Sequence, residues 1–177
     1  MKSHEAKKRY TYKDYIEWDG RWELIDGIPY NMTPAPSTEH QRIVGELYFA
    51  MRSFLSKGTC QVFISPLDIL LSASEDDENP DTVVQPDISV FCHPEQIEEK
   101  GAKGAPTLVI EVLSPSTAFK DRNEKFYLYE RFGVQEYWIV DPAHQTIEIY
   151  GLVNSKFAKR NVLTRHSFRC PPSDWSH

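Results

Sequence analysis

Two stretches of the chain repeat apolar side chains at helical spacing, and short strand-patterned runs lie around them. Over residues 40–55 the apolar positions are Ile43, Val44, Leu47, Met51, Phe54 and Leu55, one stripe of an amphipathic helix. His40 lies on the same stripe. Ser37 or Thr38, closing the sheet-breaking TPAPS segment, is placed to cap this helix, and Gly58 to end it. The second helix is expected over 119–132, capped by the SPST segment and terminated by Gly133. An aromatic-rich stretch over 12–18 has room for a helical turn or two.

Strands are expected over 22–26 and 28–32, flanking Asp26-Gly27 in a hairpin, because glycine tolerates positive φ. A run over 62–71 is interrupted by Pro66, which marks an edge or a bend. Further strands follow at 83–91, 107–113 and 136–140, and the turn Asp141-Pro142 leads into a last hairpin strand at 146–152. Residues 72–82 read as an acidic loop, 93–106 as a charged connection, and the tail after Asn154 carries no firm element. The pattern predicts an α/β fold with an αβββαβ core. A mixed central sheet flanked by helices carries an N-terminal β-hairpin and a C-terminal hairpin. Residues 1–177 form one domain in this reading, with roughly ten residues at the start and twenty at the end outside its ordered part.

Two strands depart from the simple pattern. The run TLVIEVL, residues 107–113, is apolar enough for burial on both faces, yet it contains Glu111. An ionised carboxylate there is costly unless a cation or hydrogen-bond donors compensate it. In VVQPDISVF, residues 83–91, alternation places Val83, Gln85, Asp87, Ser89 and Phe91 on one face, so that face has a polar centre. If the two strands are neighbours, Asp87 and Glu111 stand close enough to repel unless a divalent cation lies between them. Mg²⁺ or Mn²⁺ suits two carboxylates, and Gln85 would add a polar contact.

Tracing the packing stripe of the second helix backwards from Leu128, Tyr129 and Phe132 leads to Lys125 and then Asp121. Lys125 therefore faces the sheet. An Asp121–Lys125 ion pair at i,i+4, worth about 0.3–0.5 kcal/mol, is the plain explanation. A lysine that stabilises developing phosphate charge is the functional one.

Composition changes this picture little. The 177 residues are enough for one sizeable core, and no apolar run approaches the length of a membrane span. The first twelve residues are basic without an apolar segment behind them, unlike a signal peptide. Cys60, Cys92 and Cys170 are odd in number and far apart, and are expected to be free thiols in a reducing, cytoplasmic setting. The net charge of -6 argues against a surface that grips nucleic acid all over. Charge is uneven, however: residues 75–81 hold five acids, whereas residues 151–177 hold five bases and one acid.

The order of Gln85-Pro86-Asp87, then Glu111-Val112-Leu113, resembles the PD-(D/E)xK restriction-endonuclease-like superfamily. The segments WELIDG, APSTEHQRIVG, VVQPDISV, LVIEVLSPST and EYWIVDP, with Asp121 and Lys125 spaced as D-x-x-x-K, are similar to the Uma-two family of endonucleases over about residues 12–152. That resemblance implies a metal site at Asp87 and Glu111. It implies too that Lys125 replaces the motif lysine, whose place is taken by Leu113. Glu23, in WELIDG, matches a position counted with the active site, the alternative being an exposed hairpin carboxylate. Asp121 is expected to support Lys125, His40 to be satisfied by backbone, and Glu46 to lie off the site.

The expected activity is endonucleolytic hydrolysis of DNA by a metal-activated water, with Asp87, Glu111, Lys125 and Glu23 as its residues. Cutting both strands would call for a homodimer. A catalytically silent nuclease-like domain serving in binding or assembly is the alternative. A metal-free acid–base hydrolase acting on sugars fits the aliphatic surroundings of Glu111 less well.

Overall fold

The computed structural model describes residues 8–32, 34–73 and 78–164. Its elements in chain order are α1 (Tyr12–Tyr15), β1 (Trp22–Ile25), β2 (Ile28–Asn31), α2 (Thr38–Phe54), β3 (Gln61–Ile64), β4 (Ile69–Leu70), β5 (Val83–Val84) and β6 (Ile88–Phe91). There follow β7 (Ile97–Glu98), β8 (Gly101–Lys103), β9 (Leu108–Val112), α3 (Ala118–Arg122), α4 (Glu124–Phe132), β10 (Glu136–Asp141), β11 (Thr146–Val153) and β12 (Lys156–Thr164). No helix among the described residues is long and apolar enough to cross a membrane.

The strands form two mixed sheets of six, in the orders β2-β1-β5-β4-β8-β7 and β12-β11-β10-β9-β6-β3. Pairing is antiparallel except for β4 with β8 and β9 with β10. The expected αβββαβ core runs through the second sheet as α2, β3, β6, β9, α3–α4 and β10. That sheet is the expected mixed central sheet, with helices on its two faces, and the other six-stranded sheet is added to it. The N-terminal hairpin seeds the first, because β5, β4 and the β7–β8 pair leave the central sheet to extend it.

Burial follows from this layering. Val44, Leu47 and Met51 of α2 pack on one face of the second sheet, against Ile88, Val90, Leu108, Ile110, Val112 and Trp138. Leu128 and Tyr129 of α4, with Ile25, Ile69 and Val84 of the first sheet, cover the other face at Val109, Leu113, Tyr137 and Ile139. All five residues of β9 are buried, as its apolar run predicts. Ser37 caps α2 by accepting the His40 amide, and Gly133 ends α4 at φ +84°, a left-handed position that suits glycine.

Several expected elements are divided or new. The 83–91 run is two strands in different sheets, and its alternation slips at Gln85-Pro86-Asp87. Val84 packs with the same cluster as Phe91, whereas Ile88 packs with the opposite one. The 62–71 run divides in the same way around a cis Ser65-Pro66 bond. The helix expected over 119–132 is two helices broken at Asn123, whose φ and ψ of -125° and -75° are not helical. Residues 156–164, for which the sequence pattern gives no firm element, form β12, turned from β11 by Asn154 and Ser155 at φ +50° and +60°. This strand lies at the sheet edge and is largely exposed, so it carries no apolar alternation to read.

The expected free thiols at Cys60 and Cys92 are instead a disulfide. Thirty-two residues separate them in sequence, but the β3–β6 register of Gln61 with Phe91 sets them opposite each other. Pairing of strands, which spacing along the chain does not reveal, brings them together. Cys170, Arg165, Arg169 and residues 74–77 of the acidic loop lie outside the described residues.

Candidate active site

The two carboxylates meet where a ladder ends. Pairing between β6 and β9 stops at Ile88 with Ile110. Beyond that point side chains replace backbone acceptors. Asp87 Oδ2 accepts the Val112 amide at 2.8 Å, and Glu111 Oε2 accepts the Asp87 amide at 3.3 Å. Pro86, which has no N–H to give, marks the departure of the chain toward the first sheet. Asp87 and Glu111 are thus held together by each other's strands.

Glu23 arrives from β1 of the first sheet and is 1% exposed, so it is a buried carboxylate and not an exposed hairpin residue. Its Oε1 accepts Lys125 Nζ at 2.8 Å and the Gln85 amide at 3.0 Å, and its Oε2 accepts Lys120 Nζ at 2.7 Å. Lys125 Nζ also lies 2.8 Å from Glu111 Oε1, which accepts Tyr129 Oη at 2.9 Å. Asp121 is 3.9 Å from Lys125. The i,i+4 pair is therefore present, but it is the longest of the lysine's three contacts. Lys125 joins the two sheets by joining Glu23 to Glu111.

Burial and charge set the protonation states. Burial opposes the Lys125 charge, but Glu111, Glu23 and Asp121 more than offset it and hold its ammonium well above the usual lysine value. Burial likewise raises Glu23, yet Lys125 and Lys120 prevail and bring it down to about 2. Burial dominates at Glu111, which is pushed up to about 8 despite Lys125, with Asp121, Asp87 and Glu23 adding to the rise. Asp121 is raised by burial as well, against the pull of Lys125. Four carboxylates (Glu23, Asp87, Glu111 and Asp121) thus gather around two lysines, and at Glu111 and Asp121 the neighbouring negative charge adds to the rise that burial causes.

This donor set fits a hard divalent cation. Among the described residues Asp87 Oδ1 takes no hydrogen bond, and Glu111 Oε2 has only the long one from the Asp87 amide. These two oxygens keep spare lone pairs beside surplus negative charge. No trio of His, Cys, Asp and Glu side chains among the described residues is arranged to hold a metal. Two carboxylates with water completing the shell is nevertheless a mode that Mg²⁺ uses.

Other expectations fare differently. The His40 ring finds a carboxylate: its Nε2 lies 3.1 Å from Asp87 Oδ2, which raises the His40 pKa with a smaller contribution from the Val112 backbone, and among the described residues its buried Nδ1 has no hydrogen-bond partner. Gln85 contributes its amide, but its side chain turns to Asp68 at 2.7 Å, Tyr15 at 3.2 Å and Arg21 at 3.1 Å. Glu46 pairs with Arg42 on an exposed part of α2, away from the cluster. Sequence reasoning missed Lys120 and Tyr129. Tyr129 follows Lys125 by four residues on the sheet-facing stripe, where it reads as packing until its hydroxyl is given a partner.

The comparisons with known proteins agree with this architecture. A family model, Uma2, described as "Putative restriction endonuclease", matches residues 10–172. An uncharacterized protein of Synechocystis sp. is 32% identical over 143 residues, covering 78% of this chain and 72% of its own. A second uncharacterized protein of that organism is 28% identical over 121 residues, covering 68% and 66%. The crystal structure of a "putative nuclease belonging to DUF820" from Anabaena variabilis superposes with a TM-score of 0.70. That match covers 91% of this chain and 88% of the other at 23% identity, so it shows a common fold.

Proposed function

The chain belongs to the Uma2 family of restriction-endonuclease-like proteins, and on that premise we propose that it is a divalent-metal-dependent endonuclease acting on DNA. The observation that carries this reading is the meeting of Asp87, Glu111 and Lys125 at the end of the β6–β9 ladder. Asp87 Oδ1 and Glu111 Oε2, which keep spare lone pairs, would hold Mg²⁺ or Mn²⁺. When bound, the cation would supply charge to polarise a phosphoryl oxygen and make a neighbouring water more acidic. Lys125 and Tyr129 engage Oε1 of Glu111, which leaves Oε2 as the oxygen that would hold the cation. Glu23 holds both lysines and keeps positive charge beside two carboxylates that would otherwise repel. Cutting both strands of a duplex with one such site per chain would call for two copies acting together.

A second reading has its own support. Lys125, Tyr129 and backbone amides already engage the buried carboxylates, so the cluster also serves as architecture in a silent, binding or assembly domain.

Plasmid cleavage in Mn²⁺ separates the two. The nuclease reading expects nicked and linear products from the wild type and a loss of at least about 10²-fold in Asp87→Asn and Glu111→Gln. Equal activity in wild type and both variants, or none in any of them, rejects it in favour of the silent domain.

A further inference from the structure

We propose that Lys120, and not Lys125, is the side chain that contacts a non-bridging phosphate oxygen of the substrate. This assignment rests on the nuclease reading and concerns which of the two lysines meets DNA.

An ammonium group has three donors. Those of Lys125 are committed: 2.8 Å to Glu23, 2.8 Å to Glu111, and a third side toward Asp121 at 3.9 Å. Its side chain is 4% exposed. A phosphate reaching it would have to enter a closed pocket of carboxylates and break two ion pairs, leaving buried charges uncompensated. Lys125 is a positioning residue.

Lys120 differs on each count. Its side chain is 18% exposed and, among the described residues, pairs with one carboxylate, Glu23 Oε2, at 2.7 Å. The ring of Tyr30 lies 4.0 Å away, a cation–π contact that steadies the stem without consuming all of its donors. The ammonium is therefore held in place and still open to solvent. It is also tied to the metal-binding carboxylates through a short chain of contacts, since Glu23 binds Lys120 with one oxygen and Lys125 with the other, and Lys125 binds Glu111. Other basic side chains around the site are less suitable. Arg122 is spent on Glu148 and Asp141, and Arg21 on Gln85 and Ser65. A cation fixed at one side and open at the other is what a phosphodiester needs.

The test compares Lys120→Met and Lys120→Arg with wild type by two readouts. DNA binding is measured by fluorescence anisotropy of a labelled duplex in Ca²⁺ over a range of salt. Cleavage kinetics are measured in Mn²⁺. Loss of one phosphate contact lowers the slope of log affinity against log salt by about 0.9. Lys120→Met is expected to show that drop together with about a 10²-fold lower kcat/KM, and Lys120→Arg to recover both, while Lys120→Met stays folded by circular dichroism. An unchanged salt slope in Lys120→Met overturns the proposal, because neutralising Glu23 would then be the whole role of Lys120. If Lys120→Met does not fold, Lys120→Gln, which can still donate to Glu23, decides: a lower slope and rate uphold the contact, and a wild-type slope overturns it. Wild type that neither binds nor cleaves DNA removes the nuclease reading itself. Active wild type with an equally active Lys120→Met removes only the lysine assignment.

Discussion

Lys125 is held by three carboxylates where water scarcely reaches, so removing it uncovers charges that have nowhere to go. Lys125→Met keeps most of the side-chain volume but leaves Glu23 and Glu111 buried without their shared cation. The expected cost is about 3–5 kcal/mol, seen as a lower urea midpoint at an unchanged slope. A cost near zero would mean that the cluster is solvated in a way its burial denies. At this scale the sequence was informative wherever an anomaly stood out against its surroundings. Glu111 in an apolar run and Asp87 on a strand face both announce a partner, and helical phase aims Lys125 at them. Lys120 gives no such signal, because a lysine near a helix start is ordinary until its distance to Glu23 is known. His40 was visible on its stripe, but its partner lies 47 residues away, and only tertiary packing supplies it.

The start of α2 governs how His40 reaches Asp87. Ser37 Oγ accepts the His40 amide at 3.2 Å, so the cap and the site share a residue. Ser37→Ala is expected to cost about 1 kcal/mol and to lower the melting temperature. Ser37→Asp, which keeps an acceptor, should recover most of the loss. Failure of Ser37→Asp to recover it would show that the cap contributes little. Elements with a strong period, α2 and β9, were legible because one or both faces are buried continuously. The broken ones were not. A run such as 83–91 looks like a single strand by composition, and only its pairing shows that two residues serve one sheet and four the other. The two- and three-residue strands β7 and β8 are too short to carry any period at all.

For the molecule as a whole, the last strands are pinned through Glu148 on β11. Arg122 from α3, Lys159 from β12 and Tyr150 all donate to it. Burial would raise its pKa, but these donors hold it at about 2, below its ordinary 4.5. A depressed folded-state value means that the stabilisation is fully present above about pH 4.5 and is lost as pH falls from there toward 2. Thermal melts of wild type should therefore drop through that window. Glu148→Gln should melt lower at pH 6 and lose less on acidification. Parallel curves for the two proteins would mean that Glu148 does not carry the acid sensitivity. The two-sheet arrangement was out of reach of sequence reasoning for a related reason, because it depends on which strands pair and not on how each one looks alone.

The clasp at the ladder end has a consequence for lineages that lose activity. Asp87 takes the Val112 amide and Glu111 takes the Asp87 amide, so each carboxylate closes a gap in the sheet whatever chemistry it performs. A descendant freed from selection for cleavage would still be selected to keep both, since a small apolar residue at 87 strands a buried N–H at a cost of about 1–3 kcal/mol. The motif can therefore outlive the reaction, and its presence in a relative is a poor witness to activity. Lys120 closes no gap of that kind. If Lys120 meets the substrate as proposed, it is the position at which working and retired members of such a lineage should first diverge.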